Sequence, residues 1–297
     1  MYTRILVPLD GSELAEQALP YARALAHGLG IPVDVVAVVD PEPLSVLANP
    51  DQGRTIDTLV AESVSAMSAY LRPIKHDFDR APVTERVEIG KPEDVLIEKA
   101  AADKNTLIIM ATHGRSGIQR WMLGSVADKV LHGAANHMLL IRATEQGKTY
   151  GEASLTSVVV PLDGSPLAEQ VLPHVTELAK KMKLDIALVR AYALPPAVAT
   201  DYGFYSGELL DQLEEDARDY LEEKARQMRE AGVKNVSSLV HIGYGAEEII
   251  QLAQKTPDNL IAMCSHGRSG IKRWVLGSVT ERVVRHSGDP VLIIRAA

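Results

Sequence analysis

Two stretches of the chain carry residues that could hold an anion. The first reads ATHGRSGIQRWMLGSV over residues 111–126 and the second CSHGRSGIKRWVLGSV over residues 264–279. Each sets a histidine, an arginine and serines among three glycines: His113, Gly114, Arg115, Gly117, Gly124 and Ser125 in one, His266, Gly267, Arg268, Gly270, Gly277 and Ser278 in the other. An apolar run precedes each stretch (107–110 and 260–263) and a helical pattern follows it (126–131 and 279–284). A glycine-rich loop between a buried strand and a helix start presents backbone N–H groups and the positive end of the helix dipole. The chemistry on offer is phosphate binding. A plain strand–helix connection is the alternative, and the presence of two near-copies favours the cradle.

The other reactive side chains read more plainly. His113 is expected to hold the loop by a side-chain hydrogen bond, because nothing nearby has the spacing of a metal site. Arg115 and Arg268 are either phosphate partners or solvated. Trp121 and Trp274 are read as buried anchors or subunit contacts, and Cys264 as a buried strand-end thiol. No GxxxxGK[ST] run, Ser/His/Asp set or paired carboxylate is recognisable, so no residue is assigned a catalytic role.

The elements that must position these loops repeat along the chain. Residues 5–9 are apolar and end in Asp10-Gly11-Ser12; residues 158–162 are apolar and end in Asp163-Gly164-Ser165. Asp10 and Asp163, Gly90 and Gly243, and Gly114 and Gly267 are each 153 residues apart. A constant register means that a whole domain is duplicated. The spacing predicts domains at 1–143 and 155–297, joined by a polar linker at 144–154. Within the first repeat it predicts strands at 5–9, 33–39, 82–89, 106–110 and 137–142. A helix capped by Asp10 or Ser12 should run to about His27 and stop at Gly28 and Gly30. Further helices are expected over 55–71 or beyond, 92–102 and from Ser125, with residues 41–54 irregular. In the second repeat Leu210, Leu213, Ala217, Leu221, Ala225 and Met228 form one apolar stripe, opposite a charged and solvated face.

Five strands alternating with helices imply α/β architecture: two doubly wound, Rossmann-like, five-stranded parallel sheets of order 3-2-1-4-5, one per repeat. Ligands of such sheets lie beyond the carboxyl ends of the strands, where the strand order reverses. That places Pro8-Leu9-Asp10 opposite Ala111-Thr112-His113-Gly114.

The totals narrow the classes. A chain of 297 residues, 46% hydrophobic and 24% charged, is globular, and its net charge of −8 disfavours nucleic acid and anionic lipid as partners. The single cysteine fits a reducing cytoplasm, and no apolar run approaches the length of a membrane span.

The chain resembles a tandem universal stress protein, over nearly its whole length. The resemblance rests on VPLDGS at 7–12 and 160–165, on HGRSG and GSV in both halves, and on the last-strand endings at 139–142 and 291–295. The nucleotide-binding branch of that family carries Gly, two residues, Gly, nine residues, Gly, then Ser or Thr. Gly114, Gly124 and Ser125 match, as do Gly267, Gly277 and Ser278; Ala111 and Cys264 stand where the first glycine would be. The resemblance implies ATP with Mg²⁺ or Mn²⁺ as ligand. It puts Asp10 and Asp163 near the ribose or metal-bound phosphates, and Val38, Ala191, Met110 and Met263 around the adenine. The strand ends Pro8, Leu9, Pro161 and Leu162 and the helix starts Val126 and Val279 complete the two sites.

Three functions follow as expectations. The first is a nucleotide-dependent regulatory protein of the stress response. The second is a slow, metal-dependent ATPase or adenylate-transfer enzyme on the same site. The third is an interaction module that binds no nucleotide. The resemblance also implies self-association as a homodimer or larger. Cys264 for Ala111 and Ala191 for Val38 lead to the expectation that the second site binds ATP about tenfold more weakly, through lost apolar contact and a narrowed cleft.

Overall fold

The computed structural model describes residues 1–48, 55–78, 81–113, 123–144, 147–192, 206–243, 245–265 and 276–296. The chain divides into two compact units, Met1–Ala153 and Ser154–Ala297.

In the first unit the strands are β1 (Arg4–Pro8), β2 (Val33–Val39), β3 (Val83–Ile89), β4 (Thr106–Ala111) and β5 (Met138–Ile141). All pair in parallel, in the order β3-β2-β1-β4-β5. The helices are α1 (Glu13–Glu16), α2 (Leu19–Leu29), α3 (Pro41–Ser45), α4 (Ile56–His76), α5 (Pro92–Ala101) and α6 (Ser125–Gly133). The chain moves from β1 outward through β2 to β3, then crosses to β4 and moves outward to β5. Right-handed crossovers running in opposite directions fall on opposite faces, so α5 and α6 cover the face that α1 to α4 leave open. Both faces of the central strands are accordingly shielded, and all of β4 is buried.

The second unit repeats this order. Its strands are β6 (Ser157–Pro161), β7 (Asp185–Tyr192), β8 (Val236–Ile242), β9 (Asn259–Cys264) and β10 (Val291–Ile294), arranged β8-β7-β6-β9-β10. Its helices are α7 (Pro166–Glu169), α8 (Val171–Met182), α9 (Ser206–Glu230), α10 (Gly245–Lys255) and α11 (Ser278–His286). On α9 the stripe of Ala217, Leu221, Ala225 and Met228 is buried, while Glu215, Arg218, Glu222 and Glu223 face solvent.

The expected helix from Asp10 or Ser12 to His27 is in fact two helices. Pro20 cannot donate to the carbonyl four residues back, and its ring crowds that carbonyl. The residue in question is Glu16, where α1 ends. Pro173 and Glu169 stand in the same relation at the break between α7 and α8. Gly28 does not stop α2; Gly30 does, in the left-handed conformation at φ 67°. The stretch expected to be irregular holds the short helix α3, capped by Asp40, whose carboxylate accepts from Glu42 N at 2.9 Å.

The polar stretch expected to be a linker lies along α2. Gln17 donates to Thr144 O at 2.6 Å, and Thr144 N donates back to Gln17 Oε1 at 2.9 Å. Arg23, only 6% exposed, donates through Nη1 to Thr149 O at 3.1 Å and Gly151 O at 2.9 Å. Its guanidinium also lies over the Phe78 ring, 5.3 Å from the centroid. Ala153 N donates to Pro20 O at 3.0 Å. A Cβ at Gly147 would lie 1.8 Å from Gln17 Oε1, so a side chain there would displace the Gln17 amide.

Candidate functional site

The sequence Asp-Gly-Ser builds one wall of the site. Gly11 takes φ 81°, which a side chain disfavours. This lets Asp10 turn back, so that its Oδ1 accepts from Ser12 N at 3.0 Å and Ser12 Oγ at 2.6 Å. Ser12, rather than Asp10, is the helix cap: its Oγ accepts from Ala15 N at 3.2 Å. The second unit does the same with Gly164 at φ 85°, Asp163 on Ser165 N at 2.9 Å and Ser165 on Ala168 N at 3.1 Å. Asp10 and Asp163 thus end the first strand of each unit with a carboxylate fixed by its neighbours.

The facing wall is the end of the fourth strand and the start of the following helix. Thr112 N donates to Ile141 O at 2.8 Å, and Gly124 N donates to Thr112 O at 2.7 Å. The start of α6 is thereby pinned to the end of β4. Gly124 caps α6 without any side-chain hydrogen bond, so the first amides of the helix are left to the cleft. A Cβ on Gly124 would lie 3.0 Å from Thr112 O, tighter than ordinary side-chain contact. His113 Nδ1 lies 3.0 Å from Thr112 Oγ1, a local bond of the kind expected for it. In the second unit Gly277 N donates to Ser265 O at 2.8 Å, and Thr280 Oγ1 adds a bond to Cys264 O at 2.9 Å.

Between these walls lies a cleft of about 250 Å³ in the first unit. Pro8, Leu9, Asp10, Val38, Met110, Ala111, His113, Gly124, Ser125 and Val126, named from the sequence, all line it. A cleft of about 330 Å³ occupies the same place in the second unit, lined by Pro161, Leu162, Asp163, Ala191, Met263, Cys264, Gly277, Ser278 and Val279. Gly114, Arg115, Gly117, Trp121, His266, Gly267, Arg268, Gly270 and Trp274 lie outside the described residues. Sequence reasoning missed Ala15, Val36, Pro92, Leu96 and Ala127 in the first cleft, and Ala168, Val189, Gly245, Ile249 and Thr280 in the second. A signal was present for Val36, which shares a strand face with Val38; Pro92 and Leu96 lie one helical turn apart, which does not say which side of α5 meets the sheet. Among the described residues no group of three His, Cys, Asp or Glu is placed to hold a metal on its own.

Cys264 departs from expectation. Its Sγ lies 3.6 Å from Ala168 O, directed at α7, and the second cleft is wider than the first. Cys264 and Ala168 both line that cleft. Burial pushes the Cys264 thiol up to about 12, so the reactive thiolate is scarce near neutrality. Iodoacetamide at pH 8 is expected to alkylate Cys264 at least about a hundredfold more slowly in the folded chain than in urea, read by mass spectrometry. Equal rates would show the thiol to be open to solvent.

The universal stress protein family model matches residues 1–142 and again 155–295. The chain belongs to the universal stress protein family. Universal stress protein MJ0531 of Methanocaldococcus jannaschii is 30% identical over 146 residues, covering 49% of this chain and 85% of that protein. A universal stress protein of Mycolicibacterium smegmatis is 24% identical over 298 residues, covering 98% of this chain and 96% of its own. The crystal structure of a universal stress protein from Archaeoglobus fulgidus superposes with a TM-score of 0.70 over 100% of both chains at 20% identity, which speaks to the fold. The family thus accounts for both repeats of the chain. No helix among the described residues is long and apolar enough to cross a membrane.

Proposed function

We propose that the chain is a nucleotide-dependent regulatory protein of the stress response that binds ATP, with Mg²⁺ or Mn²⁺, in the cleft of each unit. The observation that carries this reading is the make-up of the first cleft. One end is apolar (Val36, Val38, Leu96, Met110) and suits a base. The other offers a carboxylate, a helix N-terminus with no side-chain cap, and a glycine whose Cβ would crowd Thr112 O. Asp10 would hold the divalent cation together with phosphate oxygens of the nucleotide, the usual arrangement for Mg²⁺. The cation would offset phosphate charge. Ser125 and the first amides of α6 would orient the phosphates, and Val38 and Met110 would exclude water from the base.

Mass spectrometry of ligand released from the purified chain tests the reading, together with calorimetry. Adenine nucleotide should be recovered, and EDTA should weaken ATP binding about tenfold or more, as should Asp10→Asn in the first cleft. No binding by the intact chain would sink the proposal. Steady, metal-dependent release of ADP or AMP would instead show that the site turns ATP over. Self-association is part of the same proposal; light scattering that finds only the 32.2 kDa species at every concentration, with and without ATP, would reject it.

A further inference from the structure

The two clefts differ on one wall. At the end of the second strand of each unit, Val38 in the first is matched by Ala191 in the second. At the first position of the helix that packs over this strand, Pro92 is matched by Gly245. Both changes remove carbon from the same wall. The glycine is not demanded by the backbone, since Gly245 is not among the residues of positive φ. A Cβ there would meet only Val279, at 3.9 and 4.0 Å, which is ordinary contact. Among the described residues, a side chain at 245 would therefore be accommodated without a clash.

The residues that grow in the second unit stand on other elements of the cleft, β9 and α11. Cys264 replaces Ala111, but its Sγ is directed at Ala168 O on α7. Thr280 replaces Ala127, and its Oγ1 is bonded to Cys264 O. Ile249 for Leu96 changes shape without adding carbon. The result is a cleft of about 330 Å³ against about 250 Å³.

We propose that the second cleft takes a nucleotide whose base is bulkier than adenine, carrying a substituent that Val38 and Pro92 exclude from the first. This rests on the nucleotide reading above. Adenine itself is too small for the widened wall and binds there more weakly than in the first cleft. Ala191 and Gly245 set the preference.

The test uses the full chain with one cleft blocked at a time: Gly124→Glu leaves the second, Gly277→Glu leaves the first. The probes are ATP and N6-benzyl-ATP, followed by calorimetry. The second cleft should bind the benzyl compound at least as tightly as ATP, whereas the first should bind it about tenfold or more weakly. Ala191→Val with Gly245→Pro copies the first unit's wall, and proline is well accepted at the first position of a helix. That pair should reverse the preference of the second cleft, weakening the benzyl compound and tightening ATP. Equal discrimination by the two clefts overturns the proposal, as does ATP binding in the second cleft without the benzyl compound. Failure of both probes at both clefts overturns the nucleotide reading and this proposal with it.

Discussion

Gly124→Glu is expected to abolish the ATP binding proposed for the first cleft while the second still titrates. A Cβ at this position would already crowd Thr112 O at 3.0 Å, and a carboxylate beyond it would project where the phosphates are proposed to sit. Like charge beside the phosphates adds an electrostatic cost to the methylene bulk. Calorimetry on the full chain should show the loss of one site, with affinity there falling about a hundredfold or more. Gly124→Ala separates the two causes: it keeps the crowding without the charge and should cost about tenfold. Retained affinity in Gly124→Glu would mean that the start of α6 does not hold the phosphates.

Arg23→Thr is expected to lower the stability of the first unit by about 2–4 kcal/mol. The guanidinium is buried, two backbone carbonyls depend on it, and its stem packs beside Phe78. Threonine is too short to reach Thr149 O or Gly151 O, and both carbonyls lose a charged donor. Burial lowers the Arg23 pKa from its usual value, and Asp77, Glu16 and Glu152 counter that by favouring the charged form; the group stays cationic through the neutral range. In urea titrations the transition of the first unit should move to lower denaturant, and amides 147–153 should exchange faster. A change below about 0.5 kcal/mol would show that the residues along α2 are held by other means.

Much of this was legible because it is local. The constant spacing between repeats, the Asp-Gly-Ser turn and the glycine before α6 each follow from what a short run of chain can do. The break between α1 and α2 was equally local, since Pro20 forbids the continuous helix, yet the apolar spacing of Leu14, Ala18 and Leu25 concealed it. Pro92 and Leu96 were not legible as cleft residues. Which side of α5 meets the end of β2 is fixed by how helix and sheet pack, not by the helix's own pattern. The packing of residues 147–153 along α2 was not legible for a further reason: polar, glycine-containing composition usually means a solvated connection. The counter-signal lay elsewhere, in Gln17 and Arg23, polar residues set in an otherwise apolar helical face.

In that grip the two repeats differ. Gln17 has Gln170 at the corresponding position, but Arg23 has Thr176. The arginine serves carbonyls of the segment that joins the first repeat to the next, a segment a solitary copy of the fold has no need to hold. The two halves have therefore ceased to be interchangeable parts. Transplanting the second repeat into the first position would leave Thr149 and Gly151 without their donor, and a first repeat excised at residue 143 would leave Arg23 its Asp77 and Phe78 neighbours but not the two carbonyls it serves.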